Sequence, residues 1–256
     1  MDAWDRMKWR SHIDIAEAIA AELCLTAETE EILIRAVVEP DRHPEKLIRF
    51  SRERGVHAIR MRHHSPERRR IMRLVWKARL ALLEGRNEDA IWCLGKALHY
   101  VQDLSVDPGL FYSKHDAREK EIGHYRTTEL PVRTGIESSI SSPHFVEECL
   151  DRLKPKKRPA AALYQATLYS SSIAAAVLDE RPPSPSAQRR MLRAIHRHAW
   201  LVTPLAFIAA SGLVIASLLT GAQWMAVTAP LIGYLVLWAD RPYHHLKREA
   251  RWHGLA

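Results

Sequence analysis

Through the first 180 residues apolar positions recur every three or four residues, the spacing of one helix face, and strand-like alternation is nearly absent. A first helix is predicted from about Asp5 to Leu23. Ile13, Ala16, Ile19, Ala20 and Leu23 form its stripe, and His12 falls on that inward face. A second helix starts near Thr26, carries Glu28, Glu30 and Glu31 in its first turn, and is predicted to stop before Pro40, which leaves Asp41 just beyond it. Pro40 to Met61 reads as irregular, with one helical turn around Glu45 to Ser51. Ser65-Pro66 is a cap and first-turn proline for a helix with Ile71, Leu74, Val75, Ala78 and Leu82 inside, ended by Gly85. The next helix runs from about Asn87 to Leu104. Its Gly95 costs about 1 kcal/mol relative to alanine, so a close approach is expected there, for which helix packing suffices. Ser113 caps a helix that carries His115 and Glu119, and further helices follow near Pro143–Leu153 and Pro159–Asp179.

The pattern then changes. Arg181-Pro182-Pro183-Ser184-Pro185 cannot continue a helix and reads as a linker. Trp200 to Leu219 is twenty residues without a charge, Thr220-Gly221 interrupts, and Ala222 to Ala239 is eighteen more. At 1.5 Å per residue each block spans about 27–30 Å, a hydrocarbon core. The short break makes the pair a transmembrane hairpin with both ends on one side, and Trp200, Trp224 and Trp238 sit near the ends, where aromatic belts lie. Arg189, Arg190, Arg193 and Arg197 precede it; Arg241, Lys247, Arg248 and Arg251 follow it. The positive-inside rule puts both flanks, and the larger N-terminal part, in the cytoplasm. The organisation expected is a helical domain over 1–180, a Pro-rich linker and basic juxtamembrane helix over 181–199, the hairpin over 200–240, and a basic cytoplasmic tail over 241–256. The fold class is all-α: a multi-helix bundle around a polynuclear metal site, plus the two-helix hairpin.

Composition adds three points. The net charge of +8 suits phosphate substrates, nucleic acid or anionic lipid head groups without choosing among them. Gln188–His198 is basic enough to hold anionic head groups. Cys24, Cys93 and Cys149 are far apart and include no Cys-x-x-Cys, so reduced core thiols are expected. Met1 to Arg10 holds Asp2 and Asp5 and lacks an apolar signal core, so the N-terminal domain is expected to stay in the cytosol.

The candidate chemistry begins at Ala97-Leu98-His99-Tyr100-Val101-Gln102-Asp103 and His115-Asp116-Ala117-Arg118-Glu119. Each holds a His and a carboxylate four residues apart, which a helix puts on one face. With 14 histidines in the chain, two such pairs point to divalent metal ions, since neutral imidazole with carboxylate is a zinc donor set that leaves positions open for water and substrate. The inward candidates are His12, Asp41, His63 or His64, His99, Asp103, His115 and Glu119. Taken singly, each has an ordinary alternative: a core hydrogen-bonded pair for His99–Asp103, an exposed helix pair for His115–Glu119, surface histidines for His63-His64, a turn or cap for Asp41.

Their order along the chain resembles the zinc-dependent phospholipase C family, which shares its fold with S1/P1-type nucleases. Trp9 and His12 match its N-terminal Trp and His, Pro40-Asp41 its Pro-Asp, and His64, with His63 as rival, its His before a long helix. Leu94-Gly95-Lys96-Ala97-Leu98-His99-Tyr100-Val101-Gln102-Asp103 matches its Leu-Gly-x-x-Leu-His-x-x-x-Asp, and His115–Glu119 its His-x-x-x-Glu. The likeness covers about Trp9 to Gly123. It implies one zinc on Asp41, His64, His99 and Asp103, a second reached through bridging Asp103 and held by His12, and a third on His115 and Glu119. Asp41 would both ligate and orient the attacking water. The chain departs from the family at two points. Trp9 is internal, so it has no free amine to ligate with. The His usual a few residues after the bridging Asp is missing, with Asp107 or a water as replacement. The activity implied is phospholipid head-group hydrolysis, with phospholipid and membrane as partners and no specific nucleic acid expected. An S1/P1-like nuclease and a non-catalytic metal-binding membrane domain are the alternatives.

Overall fold

The computed structural model describes residues 9–43, 46–51, 55–60, 67–107 and 121–256, the segments 46–51 and 55–60 by their backbone. The chain divides after Glu180 into two compact units.

Unit 1 is helical. Its elements are α1 (Arg10–Glu22), α2 (Ala27–Arg42), α3 (Arg68–Leu83), α4 (Asn87–Ser105), α5 (Glu129–Glu137), α6 (Pro143–Arg152) and α7 (Pro159–Leu178). Between α2 and α3 lies an antiparallel hairpin, β1 (Lys46–Ser51) and β2 (Gly55–Arg60). Where a helical turn is expected over Glu45 to Ser51, Lys46–Ser51 is a strand, and Glu45 lies outside the described residues. The reason is pairing: the register sets Leu47 opposite Ile59, Ile48 opposite Ala58 and Phe50 opposite Val56, so apolar residues match across the ladder.

Caps fix several boundaries as the sequence anticipates. Thr26 Oγ1 accepts from the Thr29 amide, and Ser142 Oγ accepts from the amides of His144 and Phe145. Gly85, at φ 74°, follows α3 in the left-handed region. α2 differs: it runs through Pro40 to Arg42, where His43 N donates to Glu39 O at 2.8 Å. A proline one turn from a helix end removes a single ladder bond, and the neighbours carry the helix past it. Asp41 is consequently helical, four residues on from Val37, rather than beyond the helix. Cys24 also departs from expectation. It sits in a turn after α1 at φ 52° and is exposed, while Cys149 is buried; the three thiols are free. Burial pushes the Cys149 thiol up to about 12, so it stays protonated.

α4 is the central element, buried almost throughout from Ala97 to Asp103. It packs against α2, α3 and α7, and Ile13, Ile19, Leu33, Val37, Leu94, Leu98 and Ile173 form the core around it. Each such side chain contributes about 1.5–3 kcal/mol on burial. Gly95 meets α2 directly: a Cβ there would lie 2.5 Å from Ala36 Cβ. Arg79, buried on α3, donates to Val177 O (2.8 Å) and Asp179 O (2.7 Å), so it satisfies carbonyls that the end of α7 leaves open.

Unit 2 contains α8 (Pro185–Arg197), a π-helical turn (His198–Val202), α9 (Thr203–Thr220), α10 (Gln223–Ala239) and α11 (Arg241–Trp252). Pro204 explains the wide turn, since its ring and missing N–H disturb the ladder one turn back. Gly221, at φ 72°, reverses the chain, and α9 and α10 pack side by side with the small residues Ala206 and Ala229 buried. Among the described residues, two helices are long and apolar enough to cross a membrane. In α7 the apolar stretch is 72% buried, as befits the core of unit 1; in the rod Pro185–Thr220 it is 11% buried. α10 is 17 residues, about 26 Å long. Phe207, Leu219 and Val227 are among its and α9's exposed apolar side chains.

The open end of this hairpin is closed by polar contacts. Asp240 Oδ1 accepts from Arg197 Nη2, Asp240 Oδ2 meets His198 Nδ1 at 3.0 Å, and the His198 ring stacks on Tyr243 at 3.5 Å. Burial pushes Asp240 up, but the His198 hydrogen bond, Arg197 and the Tyr243 amide outweigh it and hold the carboxyl below its ordinary 3.8. A carboxyl lowered on folding stabilises above its unfolded pKa and loses that contribution as pH falls through the folded value. The stability advantage of the wild type over Asp240→Asn is therefore expected to be full above pH about 5 and to shrink below about 3.8. Paired acid-denaturation curves measure it.

Candidate metal centre

Three helices of unit 1 deliver the site. His12 enters from the first turns of α1, Asp41 from the last turn of α2, and His99 and Asp103 from one face of α4. One ligand atom each from His12, Asp41 and His99 lie within 4.8 Å of one another. Asp103 adjoins them: its Oδ2 is 3.3 Å from His99 Nε2, and its Oδ1 is 3.6 Å from His12 Nε2. His99 Nε2 is also 3.7 Å from Asp41 Oδ1. The rings of His12 and His99 lie 4.7 Å apart.

Burial is graded across the cluster. The side chains of His99 and Asp103 are 0% and 1% exposed, and Asp41 is 14% exposed. Asp41 thus marks the edge that solvent reaches. The end of α2 that carries it is held to the start of α1 by Arg42, whose guanidinium lies over the Trp9 ring at 4.9 Å.

The donor set suits a divalent cation. Two ligands on one tetrahedral ion with bonds of about 2.0–2.2 Å stand about 3.3–3.6 Å apart. The His–Asp separations of 3.3, 3.6 and 3.7 Å fall on or near this range, and two exceed hydrogen-bond length. His12 adds a chemical argument. Its Nδ1 is 2.5 Å from Gln102 Oε1, an amide oxygen that accepts the ring hydrogen when Nδ1 carries it. In the neutral ring Nε2 then presents a lone pair to Asp103 Oδ1. Two acceptors facing one another in a buried place are reconciled by a metal cation between them, as they are by a proton on Nε2.

No protein-family model, curated protein or solved structure matches this chain.

Of the residues singled out in the sequence, His12, Asp41, His99 and Asp103 come together. His63, His64, His115 and Glu119 lie outside the described residues. The Asp107 amide donates to Lys156 O at 3.1 Å, and the residues that its carboxylate would join, His115 and Glu119, are among those not described. The Trp9 carbonyl accepts from the Ile13 amide at 3.1 Å and so is engaged in starting α1. Sequence reasoning passed over Gln102 and Ser170. Gln102 Nε2 donates to Ser170 Oγ on α7 at 3.4 Å while its oxygen faces His12. A signal existed: Gln102 stands three residues after His99 in an otherwise apolar buried run.

Proposed function

We propose that this chain is a membrane-anchored, zinc-dependent phosphodiesterase that acts on a phospholipid head group. The observation that carries the reading is the convergence of His12, Asp41, His99 and Asp103 from three helices. It fits the ordered resemblance to zinc-dependent phospholipase C. The carboxylate of Asp103 has one oxygen toward each imidazole, which suits a bridge between two ions. His64, His115 and Glu119 complete the set that the resemblance implies.

His12, Asp41, His99 and Asp103 would hold a divalent cation, which would supply polarisation of a phosphoryl oxygen and a water made acidic near neutral pH. The protein's part is positional. His99 and Asp103, fixed on a rigid buried helix, set the floor of the site. Asp41, at the solvent edge, is placed to orient the attacking water and take its proton. The apolar pair α9–α10 serves as the membrane anchor, with the basic flanks and unit 1 on the cytoplasmic side. Anchoring a lipid-directed enzyme to its substrate's surface raises the effective concentration. The arginines of α8 and the basic residues of α11 face anionic head groups in this arrangement.

Purified full-length chain in detergent, analysed for metal and assayed on phosphatidylcholine vesicles and on single-stranded DNA, tests the reading. About two zinc ions per chain with head-group release is the expected result. DNA cleavage alone would favour the nuclease. Bound metal without turnover on either substrate would favour a binding domain, and a chain that takes up no metal would end the proposal.

A further inference from the structure

We propose that Gln102 is a positioning residue which fixes His12 in the Nδ1–H form and so aims its Nε2 lone pair into the metal centre, with Ser170 tethering the Gln102 amide. This rests on the metal-centre reading above and extends it to residues that touch no ion.

The argument is geometric. A histidine ligates through one ring nitrogen, and the hydrogen bond made by the other nitrogen decides which one is free. Here Nδ1 is 2.5 Å from Gln102 Oε1 in a buried setting, while Nε2 faces Asp103 Oδ1 at 3.6 Å. An amide can serve either ring form, since its oxygen accepts and its nitrogen donates. Something must therefore choose its orientation. Ser170 Oγ, fully buried on α7, accepts the Gln102 Nε2 hydrogen at 3.4 Å and leaves the oxygen for His12; since a hydroxyl can also donate, it tethers this orientation through its role as acceptor. Were the amide turned over, its NH2 would meet Nδ1, the ring hydrogen would move to Nε2, and the lone pair aimed at the centre would be lost.

Three helices thereby share one proton's placement: α1 supplies the imidazole, α4 the amide, α7 the hydroxyl. The surroundings are largely apolar. A cavity of about 20 Å³ beside His12 and Gln102 is walled by Ile15, Val106, Ile122 and Leu163, which leaves room for about one water.

The test compares wild type, Gln102→Met, Gln102→Glu and Ser170→Ala as full chains in detergent. Affinity for Zn2+ is read by competition with a chromophoric chelator, and the ring form of His12 in the metal-free protein by long-range 15N–1H spectra. Methionine keeps the volume and removes the acceptor; glutamate keeps the acceptor. Gln102→Met is expected to weaken Zn2+ binding by about 10–100-fold, and Gln102→Glu to retain it within a few-fold. The metal-free wild type should show the hydrogen on Nδ1 of His12, and Gln102→Met and Ser170→Ala should show a mixture of the two ring forms. Wild-type affinity and an unchanged His12 spectrum in Gln102→Met would overturn the inference and leave the metal centre standing. A wild type that binds no Zn2+ but holds His12 in the Nδ1–H form would overturn the metal reading and keep only the tautomer assignment. A metal-free wild type with the hydrogen on Nε2 would overturn the inference itself.

Discussion

Asp103→Asn is expected to abolish the rise in thermal midpoint that Zn2+ gives the wild-type chain. A ligand that binds only the folded form stabilises it by about 4 kcal/mol at a thousandfold excess over its Kd. For a unit the size of Met1–Glu180, each kcal/mol moves the midpoint by about 2–4 °C, so the wild type should gain about 8–16 °C. Asparagine matches aspartate in size, so packing around position 103 is kept. What it loses is the charge and one of two acceptors. Since Oδ1 faces His12 and Oδ2 faces His99, the amide nitrogen must turn toward one imidazole or the other. Either way a donor hydrogen points where a cation should sit. Calorimetric scans with and without Zn2+, each referred to a chelator-treated sample, make the comparison. A variant that gains as much as wild type would show that Asp103 is not a ligand.

The sequence carried much of this cluster because a helix converts spacing into direction. His99 and Asp103, four residues apart, could only share a face, and His12 fell on an apolar stripe that had to turn inward. Asp41 was legible as a candidate but not as a helical residue, because Pro40 reads locally as a stop and only the packing of α2 on α4 carries the helix past it. The β1–β2 hairpin was missed for a related reason: pairing between strands is a relation between two segments, and each alone offers only a short apolar run. α5 was missed because Pro131 and Gly135 weaken its helical pattern. Gly135 is there for close packing on α7, where a Cβ would lie 2.5 Å from Leu168 O. Gln102 was missed because a glutamine has no single role. Its meaning comes from Ser170, 68 residues away in the chain.

Gly95→Ala is expected to lower stability and the response to metal together. A Cβ at 95 would lie 2.5 Å from Ala36 Cβ, 3.1 Å from Leu33 O and 3.2 Å from Val37 N. None of these atoms can rotate away, because they belong to the backbone of α2 or are fixed directly to it. Alanine gains about 1 kcal/mol in helix propensity over glycine, but forced overpacking costs about 1–3 kcal/mol and here demands that a whole helix move. The net expectation is a loss of up to about 2 kcal/mol, read as a fall in the midpoint of the metal-free protein. α2 also carries Asp41, four residues beyond Val37, so its displacement lengthens the 3.7 Å approach of Asp41 to His99 Nε2. The Zn2+-induced rise should shrink by more than half. Gly135→Ala provides the control. Its Cβ would stand 2.1 Å from Ser171 Oγ and 2.5 Å from Leu168 O, an equally severe clash. The element that yields there is α5, nine residues long and bearing none of the four clustered side chains. That variant should lose comparable stability and keep more of its Zn2+ response than Gly95→Ala does. Equal loss of the response in both would mean that the α2–α4 contact does not set the position of Asp41.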